Sequence, residues 1–190
     1  MTDFKEDLQN TLKTLKSGGI ILYPTDTIWG LGCDATNEEA VKKIYEIKRR
    51  EDSKALLLLT DMPGKIQNLV SEMPDIAWDL IEMSDSPLTI IYPGAKNIAK
   101  NLIAEDGSVG IRVTNEPFSK TLCERFRIPI VSTSANISGE PSAKTFAEIS
   151  DEIKSKADYI VKYRQDDTKG SEPSKIIKLG QGGLFKLIRG

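Results

Sequence analysis

The stretch IILYPTDTIWGLG, residues 20–32, sets how the chain reads. Ile20, Ile21 and Leu22 make a short apolar run, as a buried strand does. The run then ends in a turn. Pro24, Gly30 and Gly32 are turn residues in the ordinary sense. Tyr23, Thr25, Asp26, Thr27 and Trp29 are more than a turn requires. Two hydroxyls, a carboxylate and an indole raise the question of what this strand end faces.

The neighbouring segments supply a sheet and its cover. Phe4, Leu8, Leu12 and Leu15 repeat at helical spacing, and Gly18-Gly19 stops that helix. Residues 37–48 read as a helix capped by Asn37, with Val41, Ile44, Tyr45 and Ile47 as its apolar face. Strands are expected at 20–23, 55–59, 88–92, 109–113, 130–132, 159–162, 176–179 and 184–188. Helices are expected at 74–83, at 117–126 behind Pro117, and at 144–149. Such irregular alternation predicts one α/β domain over residues 1–190, a twisted mixed sheet flanked by helices. RQDDTKGSEP, residues 164–173, reads as a mobile surface loop.

Composition narrows the function. With 39% hydrophobic and 28% charged residues in 190, the chain reads as globular, with a core that needs no disulfide. Its formal net charge of −2 leaves nucleic acid only a local basic patch. No apolar run suits a membrane span or a signal peptide, so a cytoplasmic location is expected. Cys33 and Cys123 stand apart, without metal-ligand spacing, and read as reduced core residues. There is no histidine, which removes Ser-His-Asp and Cys-His schemes and most zinc sites.

Four polar loops carry the candidate chemistry. The first is the 23–32 turn. KRREDSK, residues 48–54, gathers Lys48, Arg49, Arg50 and Lys54. It fits a solvated basic helix end or a polyphosphate clamp. VGIRVTNEP, residues 109–117, places Arg112 inside an apolar strand, where it needs an internal carboxylate or a substrate carboxylate as partner. STSANISGEPS, residues 132–142, offers hydroxyls and backbone N–H groups suited to phosphate, or to an ordinary Ser/Asn turn. Asp26 is a turn stabiliser or a partner for an ammonium group or metal.

YPTDTIWGLGCDA, the Lys48-x-Arg50 pair, SPLTIIYPG, VGIRVTNEP, IPIVSTSANISGEPSA and the closing PSKIIKL and LIRG occur in an order that resembles the YrdC/TsaC family. These are the L-threonylcarbamoyladenylate synthases, and the likeness covers essentially the whole chain. It implies a YrdC-like fold around a large, concave, positively lined cavity. It also implies synthesis of threonylcarbamoyl-AMP from L-threonine, bicarbonate and ATP with its Mg²⁺, releasing pyrophosphate. No tightly bound cofactor or protein-held metal is implied. The product would pass to a transferase complex that modifies adenosine at position 37 of tRNA, with RNA contact possible.

By motif match, Thr25, Arg112, Ser132 and Ser174 fall at the threonine site, with Tyr23 and Thr27 shaping it. Lys48, Arg50, Lys54, Ser108, Ser134, Asn136, Ser142 and Arg189 fall at ATP, with Lys48 and Arg50 catalytic. Several positions depart from the family pattern. Glu51 follows Arg50 where proline is common, Trp29 replaces a tyrosine, and Lys175 follows Ser174 where threonine is frequent. The strand LLLLT lacks a histidine that some members carry. An RNA-binding module and a YciO-like paralogue are the competing readings.

Overall fold

The computed structural model describes residues 4–50, 56–180 and 184–190. Helix α1, Lys5–Lys16, follows the expected repeat and buries Leu15. It also buries Asp7, whose carboxylate accepts from the Tyr159 hydroxyl at 2.6 Å and the Tyr163 N–H at 2.8 Å. Strand β1, Ile21–Tyr23, and strand β2, Gly30–Gly32, pair antiparallel across the YPTDTIW turn. Helix α2, Glu38–Lys48, starts at Asn37, whose side chain accepts from the Ala40 N–H at 3.0 Å.

Strand β3 is Leu57–Thr60, helix α3 Asp75–Glu82, strand β4 Leu88–Tyr92 and strand β5 Val109–Val113. Helix α4, Pro117–Phe126, is capped by Glu116, which accepts from the Ser119 N–H at 2.7 Å. Strand β6, Ile130–Ser134, helix α5, Asp151–Lys156, strand β7, Tyr159–Ile160, strand β8, Lys175–Leu179, and strand β9, Phe185–Arg189, complete the chain order.

Among the described residues, nine strands form one mixed sheet in the order β7-β1-β2-β6-β3-β5-β4-β8-β9. The pairs β1/β7, β3/β5 and β4/β8 are parallel and the others antiparallel. The apolar runs read from the sequence supply much of the core, including Ile21, Leu22, Leu58, Ile90, Ile111 and Val131. Cys33 and Cys123 are free and buried in it, as expected.

Three segments differ from the sequence reading. Strand β2 was not foreseen, because Gly-Leu-Gly has little β-propensity. It forms because β1 and β6 approach closely there: a Cβ on Gly32 would lie 2.7 Å from both Tyr23 Cε1 and the Val131 carbonyl oxygen. Strand β6 runs on to Ser134 rather than ending at 132. Residues 144–149 are turns and bends, not a helix. The Glu148 carboxylate accepts from the Lys144 N–H at 2.8 Å, and the helix waits for Ser150, which caps α5 at Ile153.

The 164–173 loop is tethered. Arg164 donates to the Thr25 carbonyl at 3.2 Å and pairs with Glu116 at 3.5 Å and Asp167 at 2.6 Å. Lys144 pairs with Glu172 at 2.5 Å. Among the described residues, no helix is long and apolar enough to cross a membrane.

Candidate active site

The YPTDTIW turn is organised by one hydroxyl. Thr25 Oγ1 donates to the Ile28 carbonyl at 2.8 Å, accepts from the Thr27 N–H at 3.0 Å and lies 3.0 Å from Thr27 Oγ1. Thr25 is therefore buried as the hub of the turn, while Thr27, Ile28, Trp29 and Gly30 face a cavity. Tyr23 does not shape that cavity directly. It is fully buried, with its hydroxyl 3.3 Å from the Val131 carbonyl.

The cavity holds about 590 Å³, within the range of small-molecule sites. Residues of β2, β3, β4, β5, β6, β8 and β9 line it. Its charged lining is Arg50, Arg112, Lys178 and Arg189 against Glu105 and Asp106. The lining therefore favours an anion although the chain as a whole is slightly acidic.

Arg112 lies between Leu59 and Thr89 in register across β3, β5 and β4, on one face of the sheet. It is 3% exposed. Its Nη2 lies 3.1 Å from the Asp26 carboxylate and 3.4 Å from Thr25 Oγ1. The internal carboxylate considered from sequence is Asp26, and the same guanidinium also lines the cavity. Its Nε makes no hydrogen bond to any described residue. Burial raises the Asp26 pKa, opposed chiefly by the Arg112 charge.

A second polar group borders the first. Ser174 Oγ lies 2.8 Å from Thr89 Oγ1, and Arg189 donates from Nε to the Ser174 carbonyl at 2.9 Å. Burial and then the Arg112 charge lower the Arg189 pKa, as two guanidiniums sharing one cavity must. Ser132 faces the same space, and its Oγ is 3.2 Å from where a Cβ on Gly30 would stand.

The remaining expected residues divide. Arg50, Ser108, Ser134 and Ser142 line the cavity. Ser108 Oγ donates to Asp106 at 2.5 Å, and Lys178 pairs with the same carboxylate. The Lys178 hydrogen bond, followed by that from Ser108, holds Asp106 down at about 2. Lys48 differs from expectation: it is 1% exposed, is absent from the cavity lining, and donates to two backbone carbonyls. Asn136 also lies off the lining, its amide donating to the Glu140 carbonyl at 2.7 Å. Lys54 lies outside the described residues.

Sequence reasoning missed Thr89, Asp106 and Lys178. A lone hydroxyl in the apolar run LTIIY was the available signal for Thr89. Asp106 and Lys178 read as ordinary surface charges until the fold joins them. No cluster of three or more His, Cys, Asp or Glu able to hold a metal occurs among the described residues.

Comparison with known proteins gives the family and agrees with the fold. The Sua5/YciO/YrdC family model, described as "Telomere recombination", matches residues 13–190. A threonylcarbamoyl-AMP synthase of Pseudoalteromonas translucida is 35% identical over 177 residues, covering 90% of this chain and 92% of that one. The namesake from Coxiella burnetii is 33% identical over 142 residues, 74% of this chain and 76% of its own. Pyrococcus abyssi Sua5 complexed with L-threonine superposes with a TM-score of 0.81 at 26% identity. That match covers 92% of this chain, which spans about half (51%) of the Sua5 chain. Escherichia coli YciO shares the fold, with a TM-score of 0.84 at 23% identity, covering 97% of this chain and 88% of its own. The chain belongs to the Sua5/YciO/YrdC family.

Proposed function

We propose that the protein makes threonylcarbamoyl-AMP from L-threonine, bicarbonate and ATP. The observation that carries this reading is Arg112: a buried guanidinium at a cavity wall, with Nε unpartnered, next to a hydroxyl-rich floor. Its relatives named threonylcarbamoyl-AMP synthase and the L-threonine complex of Sua5 support the substrate class.

In this reading Arg112 takes the threonine carboxylate, with Ser132 and Ser174 beside it and Thr25 holding the wall in shape. Arg50, Ser108, Ser134, Ser142 and Arg189 surround the nucleotide. Lys54 joins them by sequence match. Mg²⁺ arrives as part of the MgATP substrate.

Bicarbonate takes up a proton and loses water to give carbon dioxide, and the neutral threonine amine attacks it and gives up a proton to become a carbamate. A carbamate oxygen attacks the α-phosphorus, the bond to the β-phosphate oxygen breaks, and pyrophosphate leaves. No enzyme nucleophile is needed, which suits a chain without histidine. The protein supplies alignment and fixed positive charge as negative charge moves onto pyrophosphate. The product would then pass to a tRNA-modifying transferase.

The test is pyrophosphate release from the purified protein with MgATP, omitting L-threonine or bicarbonate in turn. Release that needs both supports the synthase. Nucleotide binding without threonine-dependent release supports a YciO-like role, and salt-sensitive RNA affinity without turnover supports an RNA-binding module.

A further inference from the structure

The Lys48-x-Arg50 and Ser134-x-Asn136 pairs look equivalent in sequence, as four residues for one nucleotide. The fold separates them by direction. Helix α2 ends at Lys48, and Arg49 turns the chain with a left-handed φ of 49°. The Arg50 N–H closes that turn on the Tyr45 carbonyl at 3.0 Å. The turn leaves the Lys48 side chain buried and brings Arg50 to the cavity.

Lys48 Nζ donates to the Ser134 carbonyl at 2.6 Å and to the Asn136 carbonyl at 2.7 Å. Ser134 Oγ and Asn136 Oδ1 lie at 3.5 and 3.4 Å. The Lys48 carbonyl accepts from the Ser138 N–H at 3.0 Å. One residue therefore grips the 134–138 loop with its side chain and with its backbone. An ammonium has three donors, and two are committed at short range. The group is 1% exposed and absent from the cavity lining, so the third does not open onto the space a phosphate would fill. Asn136 is also committed, with Nδ2 on Glu140.

We infer that Lys48 is a positioning residue: it fixes the curvature of the 134–138 loop so that Ser134 faces the nucleotide, and it does not bind phosphate itself. Arg50 and Ser134 are the members of the constellation that meet the ligand. This rests on the nucleotide reading of the cavity, but the readouts below do not require turnover.

The experiment compares wild type, Lys48→Met and Arg50→Met for binding of ATP and AMP by calorimetry, with amide exchange of residues 135–138 by NMR. For Lys48→Met, both affinities fall together, their ratio holds within about threefold, and the Asn136 and Ser138 amides exchange at least about tenfold faster. Arg50→Met lowers ATP affinity more than AMP affinity and leaves those amides protected. A selective loss of ATP affinity in Lys48→Met, or unchanged exchange, overturns the inference.

Should Lys48→Met fail to fold, the wild-type Lys48 ammonium resonance decides. A strut keeps its chemical shift when MgATP saturates the protein, and a phosphate ligand does not. Should wild type bind no nucleotide, the cavity reading fails, and the exchange comparison alone judges the strut.

Discussion

Arg112 Nη2 and Asp26 Oδ1 lie 3.1 Å apart, the first on a central strand and the second in the turn that opens the site. Both side chains are nearly buried, at 3% and 11% exposure. The pair ties a cavity-lining strand to the 23–29 turn. Removing one partner strands the other charge away from water, a loss typically of about 3–5 kcal/mol. Arg112→Gln is therefore expected to lower stability on that scale and to abolish threonine binding, while ATP still binds. Chemical denaturation and calorimetry with each ligand check both parts. Unchanged threonine affinity would end the carboxylate assignment.

The Thr89–Ser174 hydroxyl pair, 2.8 Å apart, predicts a milder effect. Thr89→Val keeps the shape and removes one partner, at a cost of about 1 kcal/mol. The threonine KM is expected to rise several-fold with kcat nearly constant, since Ser174 loses its orientation and no reacting group is touched. Steady-state kinetics at saturating ATP measure this, and a kcat effect alone would contradict it.

Two glycines of β2 predict opposite outcomes from the same change. On Gly32 a methyl meets Tyr23 and the Val131 carbonyl at 2.7 Å, so Gly32→Ala should destabilise by about 1–3 kcal/mol. On Gly30 the nearest atom is Ser132 Oγ at 3.2 Å. Gly30→Ala should leave the melting temperature close to wild type and weaken threonine binding. Thermal melts and binding isotherms on the two variants separate the roles.

Lys48 gives a pH prediction. Burial first, then the neighbouring Arg50 charge, lowers its pKa from 10.5 to about 8. Between those values the unfolded chain still holds a proton that the folded chain has released. Stability from this group therefore rises as pH increases through that window. Lys48→Met should remove the rise, so the gap between wild type and variant in denaturant midpoint widens from pH 8 to 10. Parallel curves would contradict it.

How far the sequence carried these conclusions depends on local signals. Strands β4 and β5 were legible because apolar residues bounded by breakers admit little else, and Arg112 was legible as a charge inside such a run. β2 was hidden because its glycines answer to backbone crowding by β1 and β6, which no local pattern records. Residues 144–149 misled because Glu148 folds back onto the Lys144 N–H and the helix starts only after the Ser150 cap. Lys48 shows the limit most clearly. A lysine at a helix end looks the same whether it faces a phosphate or two carbonyls, and only the left-handed turn at Arg49 decides. Asp106, in the turn before β5, meets Lys178 on β8, 72 residues away in sequence, so neither pointed to the other.

The central claim is that one cavity joins threonine, bicarbonate and ATP. Its most direct test uses isotopically labelled bicarbonate with MgATP and L-threonine, followed by mass spectrometry of the nucleotide products. The account predicts the label in a single adenylate that carries threonine, formed only when all three substrates are present. ATP consumed with no labelled adenylate would contradict it.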